Sequence, residues 1–197
     1  MSFKNRFFTF VLILLLVIIS GCASMTSTKS ELQNIKDNEG VVIGSVLVSA
    51  EKVDPDESGW AFLKGIKAEK TKFSVSISES KWNPLQTTYK VPAVVGKEEI
   101  FIKKLPAGNY NMDSLYTSGL LNAQMSLRLA INFNVKPKQT IYIGKLVVSL
   151  PARLRAGSGA SVVIVDNQQE TIEKLRSEYG SIVSDTVKEL ATSKAFP

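Results

Sequence analysis

The residue types behind most protein chemistry are scarce in this sequence. Its 197 residues include one cysteine, Cys22, and no histidine. A disulfide within the chain is therefore excluded, and the imidazole that most often serves as general base is missing. Three short runs still imitate reactive sites. Asp54-Pro55-Asp56-Glu57-Ser58-Gly59 has the oxygens and the glycine of the first half of a calcium loop, but position twelve is Gly65 instead of Glu, so the run reads as a solvated turn. Ser78-Glu79-Ser80-Lys81 has a spacing in which lysine can activate serine. It ends a strand where that motif opens a helix, and its companion motifs are missing. Gly157-Ser158-Gly159 lacks the Lys-Ser/Thr pair and the third glycine of a phosphate loop. The expectation is that the chain is not an enzyme.

Binding has better candidates. Trp60 and Phe62, inside the irregular segment from Asp54 to Lys70, either form an exposed aromatic platform for a glycan or protein or cap the core. Trp82, beside Asn83-Pro84, leaves the same two readings open. Arg153 and Arg155 stand in a loop bounded by Pro151 and Gly157. Their guanidinium groups suit phosphates or carboxylates, and a plain solvated loop is the other reading. The formal charge of +6 comes from 24 basic and 18 acidic residues spread along the chain, and Lys4 and Arg6 belong to the leader described next. So diffuse an excess gives no case for nucleic acid.

The first 21 residues read as a leader. Lys4 and Arg6 precede Phe7 to Ile19, which is apolar except for Thr9. That run falls short of the ~20 residues needed to span a bilayer and has the length of a signal-peptide core. It closes on Ile19-Ser20-Gly21-Cys22, which resembles the lipobox of bacterial lipoproteins. The resemblance implies cleavage between Gly21 and Cys22, diacylglycerol on the Cys22 thiol and an acyl chain on its new amino group. No other cofactor is implied. Two or more acyl chains hold firmly to a membrane. Ala23 after the cysteine resembles an outer-membrane address, with the domain facing the periplasm. Inner-membrane anchoring and surface exposure are the alternatives.

Residues 22–39 are expected to be a lipidated tether, polar and without aromatics. Seventeen extended residues reach about 55–60 Å, and a short helical turn at Leu32 and Ile35 would reduce that. From Gly40 the period becomes two. Strands are expected over 41–48, 72–78, 88–95, 98–104, 126–135, 140–150 and 159–166, giving a β-sandwich domain over 40–166. Residues 167–197 are expected to be helical. Asn167 stands three residues before Glu170 as in a capping box, Ile172, Leu175 and Tyr179 follow at helical spacing, and Gly180 is placed to stop the helix. Val183, Val187 and Leu190 suggest a second helix.

Leu105-Pro106-Ala107-Gly108-Asn109-Tyr110 resembles the strand–turn–strand element of prealbumin-like and carboxypeptidase regulatory-like sandwich domains. The late Lys136–Gly144 stretch is similar to a hairpin found in lipoproteins with such domains. The resemblance implies a mainly β, prealbumin-like (Ig-like) antiparallel sandwich with one or two C-terminal α-helices packed on it. Modules of this kind adhere, scaffold or assist. The functional expectation is a lipid-anchored, non-catalytic interaction or accessory module of the cell envelope with an envelope protein or glycan as partner. The alternative is a lipoprotein that binds an envelope glycan or lipopolysaccharide.

Overall fold

The computed structural model describes residues 26–54, 65–81, 87–117, 125–155 and 157–193. Two five-stranded sheets face one another. The strands of the first are β1 (Glu39–Ala50), β5 (Glu98–Pro106), β8 (Thr140–Leu150), β10 (Ser161–Val165) and β11 (Val187–Lys188), in the order β10-β8-β1-β5 with β11 also on β8. The second runs β12-β7-β6-β3-β4, from β3 (Lys72–Glu79), β4 (Tyr89–Val94), β6 (Gly108–Thr117), β7 (Ser126–Val135) and β12 (Thr192–Ser193). A two-stranded ribbon joins β2 (Ile66–Lys67) to β9 (Arg153–Leu154).

Period-two alternation explains the shared core. In β3, Phe73, Val75 and Ile77 turn inward; in β7, Leu127, Leu129, Ile131, Phe133 and Val135 do the same. They meet Val42, Val46 and Val48 of β1 and Leu146, Val148 and Leu150 of β8 in one buried cluster. Burying a Val, Leu, Ile or Phe side chain contributes about 1.5–3 kcal/mol, so this layer supplies most of the driving force.

β1 is buried on both faces. Its outward residues Val41 and Ile43 lie under a second cluster with Leu32, Ile172, Leu175, Tyr179 and Val183. Those belong to helix α1 (Lys29–Gln33), helix α2 (Gln168–Tyr179) and the 3₁₀ turn Gly180–Val183. The packing of a C-terminal helix on the sandwich agrees with the sequence. α1 starts at Thr28, whose hydroxyl accepts from Glu31 N while the Glu31 carboxylate accepts from Thr28 N. This reciprocal cap holds a helix too short to persist alone.

Four expectations change. The sandwich is not antiparallel throughout, because β1 and β8 pair in parallel from Val41↔Thr140 to Ala50↔Leu150. Second, the expected tether over 22–39 is folded from Ser27 onward: Ser27 N donates to Ile102 O at 2.8 Å, and Leu32 is buried. Third, the second terminal helix is replaced by strands. β10 pairs β8 from Lys145 to Ser149 and leaves the Ile141–Tyr142 edge open, and Val187 and Lys188 fill it. Glu189 N and Ala191 N then donate to Tyr142 O and Ile143 O. Satisfying the sheet's backbone groups outweighs helical spacing there. Fourth, Asn167 makes no side-chain cap; its amide donates to Glu170, and Asp166 Oδ1 accepts from Gln168 N instead. Gly180 ends α2, with φ 57°.

The Leu105–Tyr110 turn behaves as read. The Tyr110 hydroxyl donates to Pro106 O at 2.9 Å, and its ring stacks on Phe133 at 5.6 Å. Burial pushes that phenol well above its usual pKa. Gly108 holds φ +159°, a backbone conformation that L side chains rarely adopt, so glycine suits this turn.

Candidate functional site

Parallel pairing makes β1 and β8 end at the same end of the sheet. The segments that follow them converge there, although they are a hundred residues apart in sequence. Glu51 N donates to Leu150 O at 3.0 Å, which holds the two exits together. Glu51, Lys52, Val53 and Asp54 from one exit, and Pro151, Ala152, Arg153, Arg155 and Ser158 from the other, line a cleft of about 630 Å³.

The arginines are well placed. Leu154 between them is fully buried in the core, so alternation turns its two neighbours to the cleft. β9 is pinned by β2, through Ile66↔Leu154 and Lys67↔Arg153, and Ala68 N donates to Ala152 O. Arg153 Nη1 donates to Gly65 O at 3.3 Å. Gly65 has φ +79°, and a Cβ there would lie 2.4 Å from Leu154 O, so only glycine fits this crossing. Beyond it, Arg155 N donates to Ser158 Oγ at 2.8 Å and Ser158 N returns to Arg155 O at 3.0 Å.

Three cationic side chains, Lys52, Arg153 and Arg155, thus share a cleft with the carboxylates of Glu51 and Asp54. Guanidinium groups suit the forked geometry of carboxylate and phosphate oxygens, and the acids accept hydroxyl or ammonium protons. The arrangement therefore favours a ligand carrying both kinds of group.

A second polar cluster looks reactive and is not accessible. Ser45 Oγ donates to Glu98 Oε1 at 2.6 Å, and Lys145 Nζ and Lys174 Nζ lie 3.0 and 3.7 Å from Glu98 Oε2. Burial raises the Glu98 pKa, but hydrogen bonds from Ser45 and Lys145 and the charges of Lys145 and Lys174 outweigh it, and the carboxyl sits below its usual range. Ser45 is fully buried, so no substrate can reach its hydroxyl. The cluster ties α2, through Lys174, to the sheet.

Of the residues singled out in the sequence, the structure brings Arg153 and Arg155 together in the cleft. Gly21, Cys22, Trp60, Phe62 and Trp82 lie outside the described residues. The segment holding Trp60 and Phe62 leaves at Asp54 and returns at Gly65, two residues that touch the cleft lining. Of the calcium-like run only Asp54 is described. Among the described residues, no group of three or more His, Cys, Asp or Glu side chains could hold a metal, and no helix is long and apolar enough to cross a membrane.

The sequence reading missed a groove of about 500 Å³ lined by Ser80, Asn109, Asn132, Asn134 and the Glu189–Thr192 tail. Cross-strand pairing places Asn109 beside Asn134 and Asn111 beside Asn132, and Asn134 Nδ2 donates to Asn109 Oδ1 at 2.7 Å. The signal was there as two Asn-x-Asn pairs at outward positions of neighbouring strands.

No family model matches the chain, and no curated protein does. Among solved structures it is similar to a leucine-rich repeat protein from Bacteroides thetaiotaomicron, at 16% identity and a TM-score of 0.34. The match covers 59% of this chain and 14% of that one. A score that low carries no argument about fold or function.

Proposed function

We propose that this protein is a lipid-anchored lipoprotein of the bacterial cell envelope. In this reading it is cut between Gly21 and Cys22 and acylated on Cys22, and its β-domain serves as a non-catalytic interaction or accessory module. The observation that carries the reading is the order of events along the chain. A basic pair, a short apolar run and a lipobox are followed, five residues after Cys22, by a folded body that begins at Ser27. The address is the outer membrane, with the domain in the periplasm, supported by Ala23. The fold is of the prealbumin-like kind, supported by the Leu105–Tyr110 corner and its Tyr110–Pro106 hydrogen bond. Replacing Cys22 with Ser should leave an unprocessed precursor that takes up no labelled fatty acid. A Cys22→Ser protein that is processed and labelled like the wild type would overturn the reading.

The cleft favours a second reading, in which the module binds an anionic envelope glycan or lipopolysaccharide through Arg153 and Arg155. Its mixed lining of cations and carboxylates supports this. Titration with muropeptides or lipopolysaccharide fragments should give saturable binding that an Arg153→Ala/Arg155→Ala double variant loses. Equal binding by both proteins would remove it.

A further inference from the structure

The chain between the acylated residue and the folded body is very short. Ser27 is buried and held three ways: its N–H donates to Ile102 O at 2.8 Å, its Oγ accepts from Lys104 N at 3.0 Å, and its carbonyl accepts from the Tyr179 hydroxyl at 3.3 Å. From Cys22 to Ser27 the backbone can extend about 16–18 Å at most, and a flexible coil averages roughly 11–13 Å. The body cannot swing freely above the lipid.

Resting on the lipoprotein reading, we infer that the surface formed by α1, the Ile102–Pro106 end of β5 and the loop at Lys36–Glu39 faces the lipid headgroups, which directs the arginine cleft away from the membrane. Ser27 lies against Ile102–Lys104, near the end of the sheet where Gly40 pairs with Leu105. The cleft begins at Glu51, at the opposite end of β1. Ile102 pairs with Ile43, and the seven residue steps from Ile43 to Ala50 separate this contact from the cleft end of β1 by about 23 Å.

The partner is the headgroup layer itself, and its charge is of little consequence. On this surface Lys104 pairs with Glu39 at 3.3 Å and Lys138 with Asp37 at 2.7 Å. Lys103 stacks over the Tyr89 ring at 5.3 Å and lies in the field of Glu31. Cations and acids are interleaved, so the covalent lipid, more than attraction to anionic headgroups, sets the orientation.

The test uses lipidated full-length protein in neutral phosphatidylcholine vesicles with a headgroup-attached quencher. A fluorophore is placed on Lys29→Cys in α1, or on Ser126→Cys at the start of β7. Both side chains are exposed, and Ser126 is opposite α1 in layer, in strand order and along the strand axis. Quenching should be several-fold stronger at position 29 than at 126. Inserting twenty Gly-Ser residues between Ala23 and Ser24 should bring the two close to equal. Equal quenching without the insertion, in protein that floats with the vesicles, overturns the orientation and leaves the lipoprotein reading standing. Protein that purifies without acyl chains and does not float removes both.

Discussion

At one end of the first sheet, a Cβ on Gly40 would lie 2.2 Å from Lys136 O and 2.9 Å from Val135 Cγ1, so the Lys136–Gln139 turn and β1 are in close contact. At the other end, the chain leaving β1 and the chain leaving β8, joined through Glu51 N and Leu150 O, line a cleft of about 630 Å³. The same two strands build both ends. The first end receives the N-terminal segment, through Ser27 and α1, and the Tyr110 corner is beside it. Among the described residues, the second receives the two-residue ribbon of β2 and β9. Packing is thus concentrated where the chain enters from the proposed anchor. The charged cleft opens at the other end, while the asparagine groove of about 500 Å³ lies beside the Tyr110 corner. A module fixed to a surface gains from this division, since the fixed end must resist displacement and the far end must admit a partner.

The contrast can be broken most strongly at Gly40. A methyl group there has no space, and Gly40→Ala should cost about 2–4 kcal/mol, read as a lower denaturant midpoint at unchanged slope. Loss of less than about 0.5 kcal/mol would mean that the end is not tightly packed.

Next in size is Glu98, which links sheet and helix between the two ends. Glu98→Gln should cost about 2–3 kcal/mol, because Lys145 loses its carboxylate in a partly buried site. The sign with pH follows from the depressed pKa of Glu98. Its contribution is complete above the ordinary glutamate value of about 4.3 and is lost as pH falls through the lower folded value. The wild type should therefore lose stability in acid more steeply than Glu98→Gln. Parallel acid limbs would contradict this.

A smaller effect of opposite sign is expected at Lys138, which holds φ 55° in the Pro137–Lys138 turn. Lys138→Gly should stabilise by about 0.5–1 kcal/mol, since glycine adopts that region freely and the exposed Asp37 pair adds little. Unchanged or lowered stability would contradict the strain. Smallest of all is the cleft: Arg155→Ala should change stability by less than about 0.5 kcal/mol while weakening any anionic ligand. A large loss of stability would make Arg155 structural and erase the contrast between the ends.

Much of this fold was legible in the sequence, for definable reasons. Strands 126–135 and 140–150 appear over those same residues, because alternation reports directly which face is buried. The cleft was only half legible. Arg153 and Arg155 stood out by type and by their Pro- and Gly-bounded context. Glu51, Lys52 and Asp54 did not, because their proximity depends on a parallel pairing between strands about a hundred residues apart, which no local pattern encodes. The residues near the C-terminus misled for a related reason. Val183, Val187 and Leu190 have helical spacing, but the open edge of β8 offered backbone partners that spacing cannot reveal. Thr28-x-x-Glu31 has the spacing of the capping box that opens the body, a signal that reading 22–39 as a tether passes over.

What Cys22 carries and where the mature chain starts decide whether the protein is lipid-anchored. Mass spectrometry of the N-terminal peptide from membrane-purified protein tests both at once. The expected peptide begins at Cys22, with diacylglycerol on sulfur and an acyl chain on nitrogen. A mature chain that begins elsewhere, or that retains an unmodified Cys22 thiol, would contradict the account.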